Sequence, residues 1–202
     1  MDFVIIGTVI VLIIVIIIAV IAISKSGGGG GFTIEPPHRA AGRRGERVAT
    51  RYIESVLRED DSLFTNVSIS YDGRPAELDN VIVNKFGVFI IEVKHYSGHL
   101  SGAEDDYEWT KVHISDAGNP YVKTVKNPIK QVKREVYILA KYLDYYGVSV
   151  WVDGYAMILG ASSPVDSEYI LSSVSDIDRA IHTSGKRRLD AVTIESVEKL
   201  LL

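Results

Sequence analysis

Three charged residues interrupt two otherwise apolar segments in the middle of the chain. Asp79 lies inside residues 77–83, a segment that begins with Glu77, and Glu92 and Lys94 lie within residues 88–94. Burying a charged side chain in such a segment is costly unless a partner or a metal ion compensates the charge. Two carboxylates and a lysine brought to one place are typical of metal-dependent phosphodiester hydrolysis.

This chemistry needs an activated water molecule and compensation of the charge on the phosphate, and a divalent ion supplies both. Mg²⁺ and Mn²⁺ prefer oxygen ligands. We therefore expect Asp79, Glu92 and the main-chain carbonyl of Val93 to hold one of these ions. Lys94 would hold the attacking water or stabilise the developing charge. The two strands alone also allow a simpler interpretation, in which Glu92 and Lys94 form an ion pair on an edge strand.

The two segments are short and rich in Val, Ile and Phe, which predicts two β-strands. Residues 84–87 between them have the length of a hairpin loop and end in Gly87. Side chains alternate along a strand, so Glu92 and Lys94 share one face, and Asp79 on the neighbouring strand can face them.

Two helices are predicted to flank these strands. Residues 42–58 form an amphipathic pattern in which Glu46 shares a face with Ala49 and Ile53 and would point toward the sheet. Alternatively, Glu46 only favours the N-terminal end of the helix dipole. Asn127 and Pro128 open the second helix as N-cap and first residue.

Gln131 lies near the start of this second helix, beside its apolar stripe, where it would contact a phosphate or water, or act only as a capping or solvent residue. Helices alternating with strands predict an α/β domain with a mixed central sheet flanked by helices. We expect three histidines in strands and turns to be structural or exposed; these are His95, His99 and His113.

The overall composition excludes several classes of protein. The chain of 202 residues has no cysteine, which rules out disulfides and cysteine-based zinc or redox sites. The formal net charge of −4 argues against a protein that coats nucleic acid generally, because such proteins are basic. It remains compatible with an enzyme that has a local basic groove.

The N-terminal segment is strongly apolar. Residues 3–23 carry no charge, and as a helix they would span roughly 30 Å, the thickness of a bilayer core. A cleaved signal peptide would carry positive charge at its start, where this chain has Asp2. We expect a single-pass anchor in the cell membrane at residues 1–25, a flexible Gly/Pro linker at 26–39 and a folded domain at 40–202. Lys25 and later arginines predict an external N-terminus and a cytoplasmic domain.

Four blocks in order resemble the nuclease-related domain (NERD) family of the PD-(D/E)xK nuclease superfamily. They lie at residues 42–46, 77–79, 87–98 and 127–131. Leu78 stands where the superfamily has Pro before the Asp. The resemblance implies a restriction-endonuclease-like fold and a nuclease that acts on nucleic acid, DNA more than RNA. It also implies that the active site consists of Glu46, Asp79, Glu92, Lys94 and Gln131. The alternative is a non-catalytic nucleic-acid-binding or protein-interaction module that retains this fold.

Overall fold

The structure is a computed structural model that describes residues 37–115, 118–183 and 188–202. Within these ranges the chain forms eight strands and four helices. The strands are β1 (Ser62–Tyr71), β2 (Arg74–Asn84), β3 (Gly87–His95), β4 (His99–Ser101), β5 (Glu108–Ile114), β6 (Pro120–Lys126), β7 (Val152–Leu159) and β8 (Ile170–Leu171). The helices are α1 (Pro37–Glu54), α2 (Pro128–Tyr145), α3 (Val174–His182) and α4 (Ala191–Leu201).

A mixed five-stranded sheet forms the centre of the domain, in the order β1-β2-β3-β7-β8. β1, β2 and β3 are antiparallel neighbours joined by short turns. β7 returns after α2 and pairs with β3 in parallel, from Val88–Val152 to His95–Leu159. The predicted α/β domain with a mixed sheet flanked by helices is therefore confirmed.

Helices cover both faces of this sheet. Side chains such as Ile90 face a core that includes residues of α2 and α4, whereas Ile91 faces a core that includes Ile53 of α1 and Ile177 of α3. Residues on successive positions of β3 enter different cores because side chains alternate across a strand. Burial on both faces explains why β3 is a nearly continuous apolar run, in which a charge is conspicuous.

A second, three-stranded sheet of β4, β5 and β6 covers the start of α2. Its small core contains Leu100, Trp109 and Ile129, all buried. β4 and β5 pair in antiparallel fashion, from His99–Val112 to Ser101–Thr110. β6 was not evident from the sequence, because most of its residues are exposed and its pattern does not alternate.

The predicted start of the second helix is confirmed. The side chain of Asn127 accepts a hydrogen bond from the N–H of Ile129 at 2.9 Å, and Pro128 follows as the first helical residue. The first helix differs from its predicted bounds, because it begins at Pro37, inside the segment predicted as linker, and ends at Glu54. Proline is compatible with the first turn of a helix, because the N–H groups of that turn make no hydrogen bond within the helix and proline lacks an N–H.

The predicted membrane anchor at residues 1–25, its bilayer-spanning part at 3–23 and the linker as far as residue 36 lie outside the described residues. Within the part of the chain that the structure describes, no helix is long and apolar enough to cross a membrane.

Candidate active site

The site begins where β2 and β3 separate. Their main-chain ladder ends at the pair Asn80–Ile91. Beyond it, Oδ2 of Asp79 accepts a hydrogen bond from the N–H of Val93 at 2.8 Å, so a carboxylate replaces a main-chain acceptor. The N–H and C=O of a strand residue point to the same side. The carbonyl of Val93 therefore faces the same gap as the Asp79 side chain.

Glu92 and Lys94 lie on the face of β3 that packs against α2. The Glu92 side chain is 2% exposed and the Lys94 side chain is 26% exposed. The ammonium of Lys94 donates to Oε1 of Glu92. The predicted pairing of these two residues on one face is confirmed, and the pair is buried within the sheet rather than on an exposed edge.

Gln131 completes the cluster from α2. Its Nε2 donates to Oε1 of Glu92 at 2.6 Å and to Oε1 of Glu135 at 2.9 Å. Both carboxylates are buried, and one amide nitrogen lies between them. The amide uses both of its hydrogens in this way, and its carbonyl oxygen makes no hydrogen bond to another described residue.

The cluster holds more negative charge than its hydrogen bonds satisfy. Oε2 of Glu92 and Oε2 of Glu135 are buried without a hydrogen-bond partner among the described residues. Burial, together with the charges of Glu135 and Asp79, raises the pKa of Glu92 to about 8. Burial likewise raises the pKa of Glu135 to about 7. Burial also raises the pKa of Asp79, although the hydrogen bond from the N–H of Val93 acts to lower it. Without a compensating cation, the cluster retains protons near neutral pH.

Lys94 is the positive charge of the cluster. Burial acts to lower the pKa of Lys94, but the charge and hydrogen bond of Glu92, with the charge of Asp79, outweigh burial and raise it. Lys94 is therefore protonated near neutral pH, which suits it to stabilise negative charge rather than to remove a proton.

Glu46 approaches from the other side of the sheet. Its helix α1 packs with Gly45 against His95, where an added Cβ would lie 2.7 Å from the histidine Cβ. The hydroxyl of Thr50 bridges the Glu46 carbonyl and the Asn80 side chain, at 3.0 and 3.1 Å. These contacts place α1 beside the end of β3. Across the described ranges, however, no hydrogen bond or ion pair joins the Glu46 carboxylate to the cluster.

The structure thus brings together four of the five predicted site residues, which are Asp79, Glu92, Lys94 and Gln131. In the described residues, no group of three or more acidic or histidine side chains encloses a metal position. The metal ligands predicted from the sequence include only two acidic side chains, Asp79 and Glu92, together with the carbonyl of Val93.

An open groove of about 1080 Å³ leads to this cluster. Gln131 and Glu135 form part of its wall, and Tyr107 stands beside it with 86% of its surface exposed. Cations and acids both line it; the cations are Lys126, Lys130 and Arg134, and the acids other than Glu135 are Glu77, Asp106 and Glu108. Asn127 fixes the loop that carries Tyr107, because its side-chain N–H groups donate to the carbonyls of Glu104 and Asp106.

Glu135 is the residue that the sequence analysis missed. It falls on the buried stripe of α2, between Val132 and Leu139, at a position where an apolar residue is expected. A charge within an apolar pattern identified Asp79 and Glu92 in the strands, and the same signal was present in the helix.

Comparison with known proteins identifies the family of this chain. An uncharacterized protein of Bacillus anthracis is 27% identical over 71 residues, which cover 35% of this chain and 34% of that protein. No solved structure matches the chain. The nuclease-related domain matches residues 41–159, which include every residue of the cluster. Because this match covers more than half of the chain, the protein belongs to the nuclease-related domain family.

Proposed function

We propose that this domain is a divalent-cation-dependent nuclease that hydrolyses phosphodiester bonds, in DNA rather than RNA. The observation that supports the proposal is the convergence of Asp79, Glu92 and Lys94, with Gln131, at the point where β2 and β3 separate. We also propose that the fold is of the restriction-endonuclease-like type, since three antiparallel strands are followed by a helix and a parallel strand.

Asp79, Glu92 and the Val93 carbonyl would hold Mg²⁺ or Mn²⁺, because the Asp79 carboxyl contacts the Val93 main chain and interacts with the Glu92 side chain. When bound, such an ion makes water nucleophilic near neutral pH and neutralises charge on the phosphate. The protein supplies the buried, preorganised oxygen ligands that bind the ion and fix its position.

Lys94 and Gln131 would act directly on the substrate and the water. The protonated ammonium of Lys94 would stabilise negative charge that develops on the phosphate oxygens. The carbonyl oxygen of Gln131 would accept a hydrogen bond from the attacking water and orient it. Glu46, on α1 beside the end of β3, would reach around that end to bind the ion or its water.

The substrate strand would enter along the groove beside α2. Lys126, Lys130 and Arg134 would contact phosphates, and the exposed ring of Tyr107 would stack on a base. The acids of the groove wall would keep non-specific binding weak, which agrees with the net charge of −4.

The test is cleavage of supercoiled plasmid by the full chain in detergent, with Mg²⁺ or Mn²⁺ and with EDTA. Asp79→Ala should abolish cation-dependent cleavage, whereas Asp60→Ala, which alters an exposed acid outside the cluster, should not. A matched RNA substrate tests the preference for DNA. Nucleic-acid binding without any cleavage by the wild-type chain would favour the alternative, a non-catalytic binding or protein-interaction module.

We propose in addition that residues 3–23 anchor the chain in the cell membrane, with the N-terminus outside and the domain cytoplasmic. This proposal rests on the sequence of that segment alone. Protease added outside intact cells should leave the domain uncut. Its degradation there would reverse the orientation.

A further inference from the structure

The lysines of the domain differ in whether an acid neutralises them. Six of the nine lysines in the described ranges form an ion pair with a carboxylate; these are Lys85, Lys94, Lys130, Lys133, Lys141 and Lys199. The other three form no ion pair with a described residue, and all of them lie on the hairpin of β5 and β6; these are Lys111, Lys123 and Lys126. This hairpin therefore carries positive charge that the described part of the domain does not neutralise.

Two of these lysines lie directly opposite each other. Lys111 pairs with Lys123 across the two strands, so both side chains stand on the same face of the hairpin. Cross-strand neighbours of like charge repel each other, which destabilises the hairpin. The ammonium of Lys111 lies 5.9 Å from the centre of the Tyr96 ring, a contact that offsets part of this cost for one lysine only. An anionic partner that contacts both lysines would remove the repulsion.

The shape of the hairpin restricts what this partner can be. Trp109 is buried in the small core and fixes the base of the hairpin to the domain. Every residue of β6 from 120 to 124 is exposed, so neither face of the strand is covered there, and Ile114 on β5 is 66% exposed. The outer part is thus a free two-stranded ribbon. The major groove of B-form DNA, about 12 Å wide, admits such a ribbon, whereas that of A-form RNA is too narrow.

The hairpin adjoins the proposed active site. Lys126, at its base, lines the groove that leads to the cluster, and its carbonyl accepts a hydrogen bond from the hydroxyl of Tyr96 at 3.4 Å. Burial raises the pKa of the Tyr96 hydroxyl and the charge of Lys94 acts to lower it, so these two side chains lie close together. Tyr96 therefore connects the hairpin, through Lys111 and Lys126, with Lys94 of the cluster.

We propose that the β5–β6 hairpin enters the major groove of double-stranded DNA beside the cleavage site, where Lys111 and Lys123 contact backbone phosphates. This inference rests on the proposed function, because it names the duplex as the form of DNA that the nuclease recognises. The phosphates neutralise the two opposed lysines and position the duplex, without reading its sequence. The width of the groove gives a physical reason for a preference for duplex DNA over duplex RNA.

Binding of a fluorescent DNA duplex to the full chain in detergent tests this interface. Anisotropy is measured in EDTA, which prevents cation-dependent cleavage, at several salt concentrations. In Lys111→Gln/Lys123→Gln, the plot of log affinity against log salt concentration should be less steep by about 1.8, because each lost phosphate contact contributes about 0.9. An RNA duplex of the same sequence should bind more weakly, with the same slope for the wild type and this variant.

Two further variants serve as controls. Lys141→Gln/Lys199→Gln removes the same charge from exposed lysines of α2 and α4 and should keep the wild-type slope. Lys111→Arg/Lys123→Arg keeps both charges on the hairpin and should also keep that slope. The melting temperature of Lys111→Gln/Lys123→Gln should equal or exceed that of the wild type, since the substitution removes the repulsion between opposed charges. A purely structural role for the two lysines would lower it instead.

An unchanged slope in Lys111→Gln/Lys123→Gln, or an equal loss in Lys141→Gln/Lys199→Gln, overturns the proposal. The same loss for duplex RNA or for polyglutamate would indicate a general anion-binding surface and would overturn the assignment to the DNA groove. Plasmid cleavage by the wild type, with an unchanged slope in the hairpin variant, would retain the proposed function and reject the hairpin contact. The expected loss of slope in a chain that cleaves no plasmid would do the reverse.

Discussion

Two buried polar clusters in this domain differ in how completely they are satisfied. His182, at the end of α3, has a partner on each ring nitrogen, namely Asp178 at 2.6 Å and Asp61 at 2.8 Å. The cluster of Gln131, Glu92 and Glu135 has comparable hydrogen bonds but leaves two carboxylate oxygens without a partner.

The difference distinguishes a cluster whose hydrogen bonds are complete from the one that we propose as the active site. The histidine cluster ties α3 to the loop that follows α1, and its hydrogen bonds offset the cost of burying its polar groups. The glutamate cluster retains unused acceptors and raised pKa values, and it borders an open groove. The proposed function assigns cation binding to this cluster, in which two acceptor atoms have no hydrogen-bond partner among the described residues. Four predictions test this division.

The largest effect is expected from Lys94→Ala in the glutamate cluster. Loss of a positioned ammonium should slow single-turnover cleavage by about 10²–10⁴-fold. Metal affinity should stay the same or rise, since an ammonium is no ligand and its removal takes away a like charge. Lys141→Ala, at an exposed lysine of α2, is the control. Full activity in Lys94→Ala would reduce Lys94 to the ion-pair partner of Glu92.

In the histidine cluster, His182→Ala should act on stability instead. It leaves Asp61, whose side chain is 5% exposed, without its buried partner. The free energy of unfolding should fall by about 2–4 kcal/mol, measured by chemical denaturation. His99→Ala, at an exposed histidine, should change it by less than about 0.5 kcal/mol. A slower cleavage rate in folded His182→Ala would show that the two clusters are not separate in function.

The ion-free protein should lose stability as pH rises. Glu92 and Glu135 have ordinary pKa values of 4.5 when exposed, and folded pKa values of about 8 and about 7. The folded state thus binds protons more tightly than the unfolded state, so their contribution is complete below pH 4.5 and is lost as pH rises through about 8. Melting temperatures in EDTA should show this decline. This fall in melting temperature should be shallower in Glu135→Gln and smaller with added Mg²⁺. The control variant Glu104→Gln should show the same fall as the wild type.

The smallest effect is expected where the glutamate cluster meets the groove. Tyr107→Ala should weaken binding of a single-stranded oligonucleotide by about 5-fold, because stacking on one base contributes about 1 kcal/mol or more. Anisotropy titrations of the full chain would measure this. Tyr121→Ala, at an exposed tyrosine of β6 outside the groove, should bind as the wild type does. Equal affinities of the wild type, Tyr107→Ala and Tyr121→Ala would show that Tyr107 does not contact the oligonucleotide.

Local pattern was enough to predict much of this domain. β-Branched and aromatic content located β2 and β3, and Asn127 with Pro128 marked the start of α2, because these signals depend on neighbouring residues only. Charges within buried strands identified Asp79, Glu92 and Lys94 for the same reason. β6 and α3 were not predicted, since β6 is mostly exposed and α3 is a short helix.

Tertiary structure alone decided which of these residues meet. Spacing in the chain could not show that β2 and β3 separate beyond the pair Asn80–Ile91, which frees the N–H of Val93 for Asp79. It could not show that α2 sets Glu135 beside Glu92, or that α1 packs on the opposite face of the sheet. A sequence specifies which side chains point inward, whereas the packing of helices on a sheet determines which inward-pointing charges share one cluster.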